Sequence, residues 1–149
     1  FSPTDEDQEI KRTVLYKNDG LFSPAVLARG LGKIFFSVYY SSEESRAAAP
    51  LEDDEIYSIG LDGSNLEKLT NLGVGPFEGY SGPLIHMMAV SPDGALVALP
   101  ILTKFDVETD PTTSRDYELK ILNLGNREVS TIATGNLTQV EWVSLPQSQ

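Results

Sequence analysis

The chain has 149 residues, 40% of them hydrophobic, and its 22 acidic against 11 basic residues give a formal net charge of −11. This apolar share is that of a folded domain, and the acidic excess argues against nucleic acid or an anionic membrane as partner, because both repel it. The absence of cysteine excludes disulfides and thiolate sites, and no apolar run approaches the ~20 residues of a membrane-spanning helix.

Short β-strands separated by turn residues dominate the first half of the chain. The strands predicted there cover residues 9–17, 33–40, 55–61 and 65–70. Apolar side chains of the second strand fall on both faces, residues 34, 36, 38 and 40 on one and 35 and 39 on the other, and we interpret its aromatic residues as core. Residues 62–63, Asp-Gly, join the last two strands as a hairpin, because glycine accepts the positive φ that such a turn requires.

Two other stretches of the first half favour short helices. Ser23 and Pro24 are typical of a helix start, and the turn they begin runs to Gly30. Residues 42–49 are rich in helix formers and end at Pro50. Neither helix is long enough to cover a sheet, so the elements together predict an all-β fold.

The second half repeats this pattern of turns and strands. Residues 91–94, Ser-Pro-Asp-Gly, fit a type I turn, because proline presets φ at the first central position. The strands predicted to follow cover residues 95–103, 117–124, 127–134 and 137–143. The first of these is almost wholly apolar, as expected for a strand buried on both faces. Residues 125–126, Gly-Asn, form the turn between the second and third.

A repeat of about 64 residues underlies these elements. Gly30 and Gly94 precede equivalent strands 64 residues apart, and the turns at 62–63 and 125–126 follow in the same order. A third copy begins at residues 140–144. The residues at the corresponding place in the three copies are Val26, Val90 and Trp142. A unit of four strands, with a turn after the first and a tight hairpin between the last two, is typical of a β-propeller blade.

The repeat also resembles a known family. Residues 56–71, Ile-Tyr-Ser-Ile-Gly-Leu-Asp-Gly-Ser-Asn-Leu-Glu-Lys-Leu-Thr-Asn, are similar to the repeat of TolB-like (WD-repeat-like) β-propellers. Residues 90–94 resemble the family's Trp-Ser-Pro-Asp-Gly turn, with Val90 in place of the aromatic residue. Residues 28–30, Ala-Arg-Gly, and 124–126, Leu-Gly-Asn, depart from the family pattern. The resemblance spans roughly residues 24–144.

Repeat and resemblance together predict the domain organisation. We expect residues 1–149 to form a single all-β region of propeller-type, four-stranded antiparallel blades. The expected blades are 22–71 and 83–135, with flanking strands at 9–17 and 137–144. Propellers need at least four blades of about 40–45 residues to close. We therefore expect a section of a longer polypeptide, or a subunit that completes its fold through partners; the alternative is a β-sandwich.

No catalytic, cofactor-binding or metal site is predicted, and the chain is not predicted to be an enzyme. The single histidine, His86, lies in an apolar strand context, residues 84–88, and we interpret it as structural; one histidine cannot build an all-histidine zinc site. Residues 79–82, Gly-Tyr-Ser-Gly, miss the nucleophile-elbow pattern because Pro83 stands where a glycine is required. The glycine-rich residues 73–79 contain a proline and a glutamate that oppose phosphate binding, so we interpret them as a connection between blades.

Acidic clusters fall in two loops, each between the second and third strands of a predicted blade. The first loop holds residues 43–44 and 52–55, and the second holds residues 106–110, Asp-Val-Glu-Thr-Asp. The second has the opening spacing of a calcium loop, but Pro111 and Tyr117 stand where glycine and glutamate are required. We interpret both as solvated acidic loops. Their common position suggests, as a hypothesis, one acidic patch for a basic partner or a cation.

The family resemblance implies a non-catalytic protein-interaction or assembly module in the periplasm or outside the cell. The expected partner is another protein or further copies of the chain that complete the propeller, with no nucleic acid, cofactor or membrane-spanning segment. Two alternatives stay open. One is the propeller portion of a prolyl-oligopeptidase-like peptidase, and the other is a structural subunit of an extracellular assembly whose strand edges pair between chains.

Overall fold

The computed structural model describes residues 14–74, 80, 82–106, 114–137 and 140–143. These residues form two four-stranded antiparallel sheets, each a meander of consecutive strands, which confirms the all-β fold. The strands of the first sheet are β1 (Leu21–Ala28), β2 (Lys33–Tyr39), β3 (Ile56–Gly60) and β4 (Glu67–Lys68). Those of the second are β5 (Ala89–Val90), β6 (Leu96–Asp106), β7 (Ser114–Asn123) and β8 (Val129–Gly135). Residues 69–88 connect the two sheets.

Glycines with positive φ make two of the predicted turns. Gly63 has a φ of +82° between β3 and β4, and Gly94 has a φ of +71° between β5 and β6. Gly94 N donates to Ser91 O at 2.9 Å, which closes the predicted turn. In the third turn Arg127 takes the positive φ, 65°, and its main-chain N donates to Asn123 O at 2.8 Å. Arg127 thus closes the β7–β8 hairpin, whose turn has Gly-Asn in place of Asp-Gly.

Of the two predicted helices, one is confirmed and one is wrong. The helix α1 covers Glu43–Ala48, and the Ser42 hydroxyl accepts a hydrogen bond from Ser45 N at 3.1 Å. The stretch from Ser23 to Gly30 is instead the edge strand β1, followed by a 3₁₀ turn at Arg29–Leu31. Its register with β2 shifts between Phe22 and Ala25, where proline offers no N–H to the ladder. Pairing with β2 overrides the local helix signal.

Both faces of the first sheet are buried. Phe35 and Phe36 are adjacent on β2 and point to opposite faces, and only 2% and 3% of their surfaces are exposed. Phe35 and Ile56 join the core between the two sheets, to which the second sheet contributes β6. Phe36 belongs to a second cluster, made of Phe36, Val38, Tyr40, Leu51, Tyr57 and Ile59. Residues 97–102 of β6 are all buried, which confirms the strand predicted to be buried on both faces.

The two sheets run in the same direction. The strand β1 contacts β5, and a Cβ placed on Gly94 would stand 2.9 Å from a methyl group of Leu31. Arg127 Nη2 reaches Glu67 Oε1 at 2.7 Å, which joins the β7–β8 turn to β4. All four hairpin turns therefore lie at one end of the molecule. The opposite end, here called the loop end, carries residues 17–20, the β2–β3 loop at 40–55, and the ends of β6 and β7.

The predicted flanking strands are wrong in the part that the structure describes. Residues 14–17, 137 and 140–143 belong to no strand, whereas 9–13, 138–139 and 144 lie outside the described residues. Side chains hold these segments instead of a β-ladder. The Tyr16 ring stacks on Phe36 with centroids 6.4 Å apart, and Trp142 Nε1 donates to Ala89 O at 2.9 Å. The segment 140–143 therefore lies beside β5, in the same way that β5 lies beside β1.

Candidate functional site

The acidic β2–β3 loop at the loop end is folded onto internal partners. Arg46 of α1 donates through Nε to Asp53 Oδ2 and through Nη2 to Tyr40 O, the latter at 3.0 Å. The second Asp53 oxygen accepts from Tyr40 N at 3.0 Å. The hydrogen bond that Arg46 donates to the Asp53 carboxylate raises the pKa of Arg46. Glu52 pairs with Lys68 of β4. These contacts fix α1 and the loop against the ends of β2 and β4.

Asp54 is a buried carboxylate that reaches the connection between the sheets. Only 4% of its surface is exposed, and its Oδ1 accepts a hydrogen bond from Leu84 N at 2.9 Å. Its own N donates to Val38 O at 3.0 Å, and its φ is +52°. Burial raises the pKa of Asp54 to about 6. This carboxyl group therefore changes charge near neutral pH rather than in acid.

Glu55, also buried, holds the other end of the same connection. Glu55 Oε2 accepts from Leu72 N at 2.9 Å, and Oε1 accepts from Gly73 N at 3.1 Å. The Thr70 hydroxyl donates to Oε2 and accepts from Ile56 N at 3.0 Å. Two adjacent carboxylates of the first sheet thus bind both ends of the segment that leads to the second sheet.

The interpretation of residues 52–55 as a solvated acidic cluster is therefore wrong for Asp54 and Glu55, whereas Glu52 is exposed. Asp54 and Glu55 are buried, and Glu52 and Asp53 each have a basic partner. Glu43 and Glu44 on α1 and Glu52, which pairs with Lys68, remain exposed in this loop. Most of the second acidic loop, residues 107–113, lies outside the described residues, so the acidic patch stays a hypothesis. Within the described ranges, no group of three or more His, Asp and Glu side chains could hold a metal ion.

His86 lies on the connection between the sheets, beside a small cavity at the loop end. Residues 84–88, predicted as strand, form only an isolated bridge between Ile85 and Ile101. Tyr80 Oη lies 2.9 Å from His86 Nε2 and donates to Pro83 O at 3.0 Å. Burial lowers the pKa of His86. The cavity of about 300 Å³ is lined by His86, Met87, Pro100, Arg115, Tyr117, Asn136 and Leu137.

His86 thus has a structural partner, and the cavity beside it brings together one histidine and one arginine. Of the 79–82 motif, Gly79 and Ser81 lie outside the described residues, as do residues 75–79 of the glycine-rich stretch. The described part of this connection is held by Asp54 and Glu55, consistent with its interpretation as a link between two sheets.

A larger groove of about 520 Å³ runs between α1 and the segment before β1. It is lined by Lys17, Asn18, Asp19, Tyr40, Glu44, Ser45, Ala48, Ala49 and Pro50. Tyr40 Oη and Asn18 Nδ2 are buried at its wall, and burial raises the pKa of Tyr40 more than the interaction with the Asn18 side chain lowers it. The mixed charges of Lys17, Asp19 and Glu44 give the groove no preference for an anion or a cation.

The edges of the sheets are open among the described residues. The outer edge strand β8, Val-Ser-Thr-Ile-Ala-Thr-Gly, carries no charge, and 61% of Ile132 is exposed. On the edge strand β1, Leu21 and Leu27 are 64% and 47% exposed. An uncharged edge of this length is able to pair with a further strand.

Searches against protein-family models, curated proteins and solved structures find no match to this chain. No helix in the described residues has the length and apolar character needed to cross a membrane.

The internal role of Asp54 and Glu55 was missed in the sequence. The available signal is their position directly before the apolar strand β3, where a charged residue is drawn into the core with the strand. Charge runs are usually solvated, so composition alone favours the wrong interpretation. Apart from the Thr70 hydroxyl, the partners of the two carboxylates are main-chain N–H groups, which leave no mark in a sequence.

Proposed function

We propose that the chain forms a two-blade section of a TolB-like β-propeller and acts as a non-catalytic protein-interaction or assembly module. The observation that carries this proposal is the identical order and direction of the two sheets, with their first strands β1 and β5 in contact. In a propeller, each blade begins with an inner strand that lies beside the inner strands of its neighbours. The connection 69–88 runs from the outer edge of one sheet to the inner edge of the next, as such blades require.

The position of Trp142 favours a propeller over a β-sandwich. Its indole N–H binds Ala89 O of β5, so the start of the third repeat lies beside the first strand of the second. The first segment of each repeat thus lies beside the first segment of the next repeat in two places, β1 beside β5 and β5 beside residues 140–143. In a propeller, each sheet is placed beside the previous one by the same rotation about a common axis. A β-sandwich consists of only two sheets that face each other.

The open edges support interaction with another protein or with further copies of the chain. Strand β8 has an exposed main-chain edge without the charges that usually block strand addition. Exposed apolar side chains on both edge strands, such as Ile132 and Leu27, would be covered by a neighbouring sheet. The family resemblance leads us to propose a periplasmic or extracellular location, which fractionation of the source cells would test.

Sedimentation velocity and equilibrium over a concentration series test the proposal. We expect either a discrete oligomer that pools blades into a ring, visible by negative-stain electron microscopy, or open-ended association typical of a section removed from a longer propeller. A folded monomer at every concentration would contradict the propeller and favour the β-sandwich. Circular dichroism on the same samples establishes that the chain is folded.

A further inference from the structure

We propose that Asp54 makes the attachment of the inter-sheet connection sensitive to pH: its neutral form keeps the segment around Leu84 closed, and its ionisation favours local opening. This inference does not depend on the proposed function, because it concerns only the contact between the two described sheets. It assigns to the acidic β2–β3 loop a conformational role.

The geometry places Asp54 at the junction of both sheets. Its carboxylate accepts from Leu84 N at 2.9 Å, and Leu84 O accepts from Leu102 N of β6 at 2.9 Å. Leu84 and Ile85 are 2% and 0% exposed, so this segment is packed into the core between the sheets. If the hydrogen bond to Asp54 is lost, the segment around Leu84 separates from the first sheet but keeps its hydrogen bond to Leu102 in the second sheet.

The charged groups around Asp54 leave its carboxylate without a cation of its own. Asp53 and Glu55 flank it on its own loop, Arg46 faces it from α1, and Tyr80 faces it from the connection. Arg46 is bound to Asp53 and to Tyr40 O. Among the described contacts, no basic side chain pairs with Asp54, so the hydrogen bond from Leu84 N, with the neighbouring main-chain N–H of Ile85, is what stabilises its charge.

The sign of the pH effect follows from burial. Desolvation holds the pKa of Asp54 near 6 when the segment is closed, whereas a hydrated aspartate ionises near pH 4. Between these values ionisation is easier in the open form, so the opening constant rises with pH, by up to about 100-fold in all and by about 50-fold between pH 4 and pH 7. His86, on the same segment, acts in the opposite direction, because burial lowers its pKa and its protonation in acid favours opening.

Hydrogen exchange measured by NMR on the full chain tests the proposal. Opening constants for the Leu84 and Ile85 amides, corrected for intrinsic exchange, are followed from about pH 4.5 to about pH 7.5. The buried amide of Leu99 on β6 reports global unfolding. We expect the opening constants of Leu84 and Ile85 to exceed that of Leu99 at every pH and to rise by tens of times over this range. A flat profile, or opening constants equal to that of Leu99 throughout, would overturn local opening controlled by Asp54.

Two variants assign the effect to Asp54. Asp54→Asn keeps a side-chain carbonyl acceptor, and asparagine tolerates the positive φ, so its profile should lack the rise. Asp93→Asn, at an exposed hairpin turn away from the loop end, should keep it. A rise that persists in Asp54→Asn contradicts the proposal. If that variant does not fold, the carboxyl ¹³C titration of Asp54 in the unaltered chain decides, and a midpoint below about pH 4.5 overturns the proposal.

Discussion

The side chain of Asp54 accepts a hydrogen bond from the main chain of Leu84, 30 residues further along the chain, at 2.9 Å. Leu84 in turn accepts a hydrogen bond from Leu102 in the second sheet. A single residue of the connection is therefore bound to both sheets. Together with Glu55, which holds Leu72 and Gly73, Asp54 attaches both ends of the connection to the β2–β3 loop.

Asp54→Asn should stabilise the chain at neutral pH. A buried acid with a raised pKa contributes stability below its unfolded pKa, near 4, and that stability is lost as pH rises through its folded value of about 6. The asparagine avoids this loss, so its free energy of unfolding should exceed that of the unaltered chain by up to about 3 kcal/mol at pH 7.5. Urea unfolding at pH 7.5 and pH 4 measures the difference, which should shrink in acid.

Asp54→Ala provides the matched contrast. Alanine leaves Leu84 N without an acceptor and is strained at a φ of +52°, so we expect it to be less stable than Asp54→Asn by roughly 2–4 kcal/mol. An alanine variant as stable as the asparagine variant would show that the hydrogen bond to Leu84 contributes nothing.

Thr70→Val should destabilise the chain because it removes a buried acceptor. The Thr70 hydroxyl accepts from Ile56 N at 3.0 Å and donates to Glu55, and only 4% of Thr70 is exposed. Leaving the Ile56 N–H unpaired costs about 1–3 kcal/mol. Chemical denaturation measures the loss, and Thr134→Val on the exposed face of β8 should change stability by less than about 0.5 kcal/mol. Equal effects in the two variants would contradict the structural role of Thr70.

Ser58→Ala should be neutral or stabilising, unlike most substitutions in a core. The Ser58 hydroxyl is fully buried without a hydrogen-bond partner, so its removal relieves the cost of burying a polar group. We expect a gain of up to about 1 kcal/mol in the free energy of unfolding. The control Ser130→Ala changes an exposed serine on β8. Destabilisation by more than about 1 kcal/mol would indicate that Ser58 has a partner in solution.

Gly94→Ala should destabilise the β5–β6 turn, whereas Gly30→Ala should not. Gly94 has a φ of +71°, and an added Cβ would stand 2.9 Å from Leu31. Strain and crowding together cost about 1–3 kcal/mol. A Cβ on Gly30 meets nothing within 4 Å. Thermal unfolding of both variants, compared at matched pH, checks the difference; equal melting temperatures would contradict it.

Ile132→Lys tests whether the open edge of β8 takes part in association. Ile132 is 61% exposed on an uncharged edge strand, and lysine on such an edge disfavours pairing with another strand. We expect the average mass from sedimentation equilibrium to fall relative to the unaltered chain. The control Val14→Lys changes a residue that is 79% exposed outside the sheets. Unchanged association in Ile132→Lys would exclude β8 as the interface.

Local sequence patterns were sufficient to predict most strands and turns. Residues 33–40 carry apolar side chains at both odd and even positions, which a strand places on its two opposite faces. Phe35 and Phe36 do lie in different hydrophobic clusters. The turn at Gly94 was predicted because a proline, an aspartate and a glycine in that order restrict the backbone locally. Such signals depend only on residues that are close in the sequence, so they can be interpreted without knowledge of the fold.

Other features depend on residues that are distant in the sequence, and only the tertiary structure decided them. Ser23 and Pro24 read locally as a helix start, but the pairing of Val26 with Phe35 made this stretch a strand. Asp54 reads as a solvated acid, but its hydrogen-bond donors are amides 30 residues away. Amino-acid composition and periodicity determined that this chain is built of antiparallel strands. Which acids are buried, and how the two sheets are joined, depended on main-chain groups that become neighbours only when both sheets have packed.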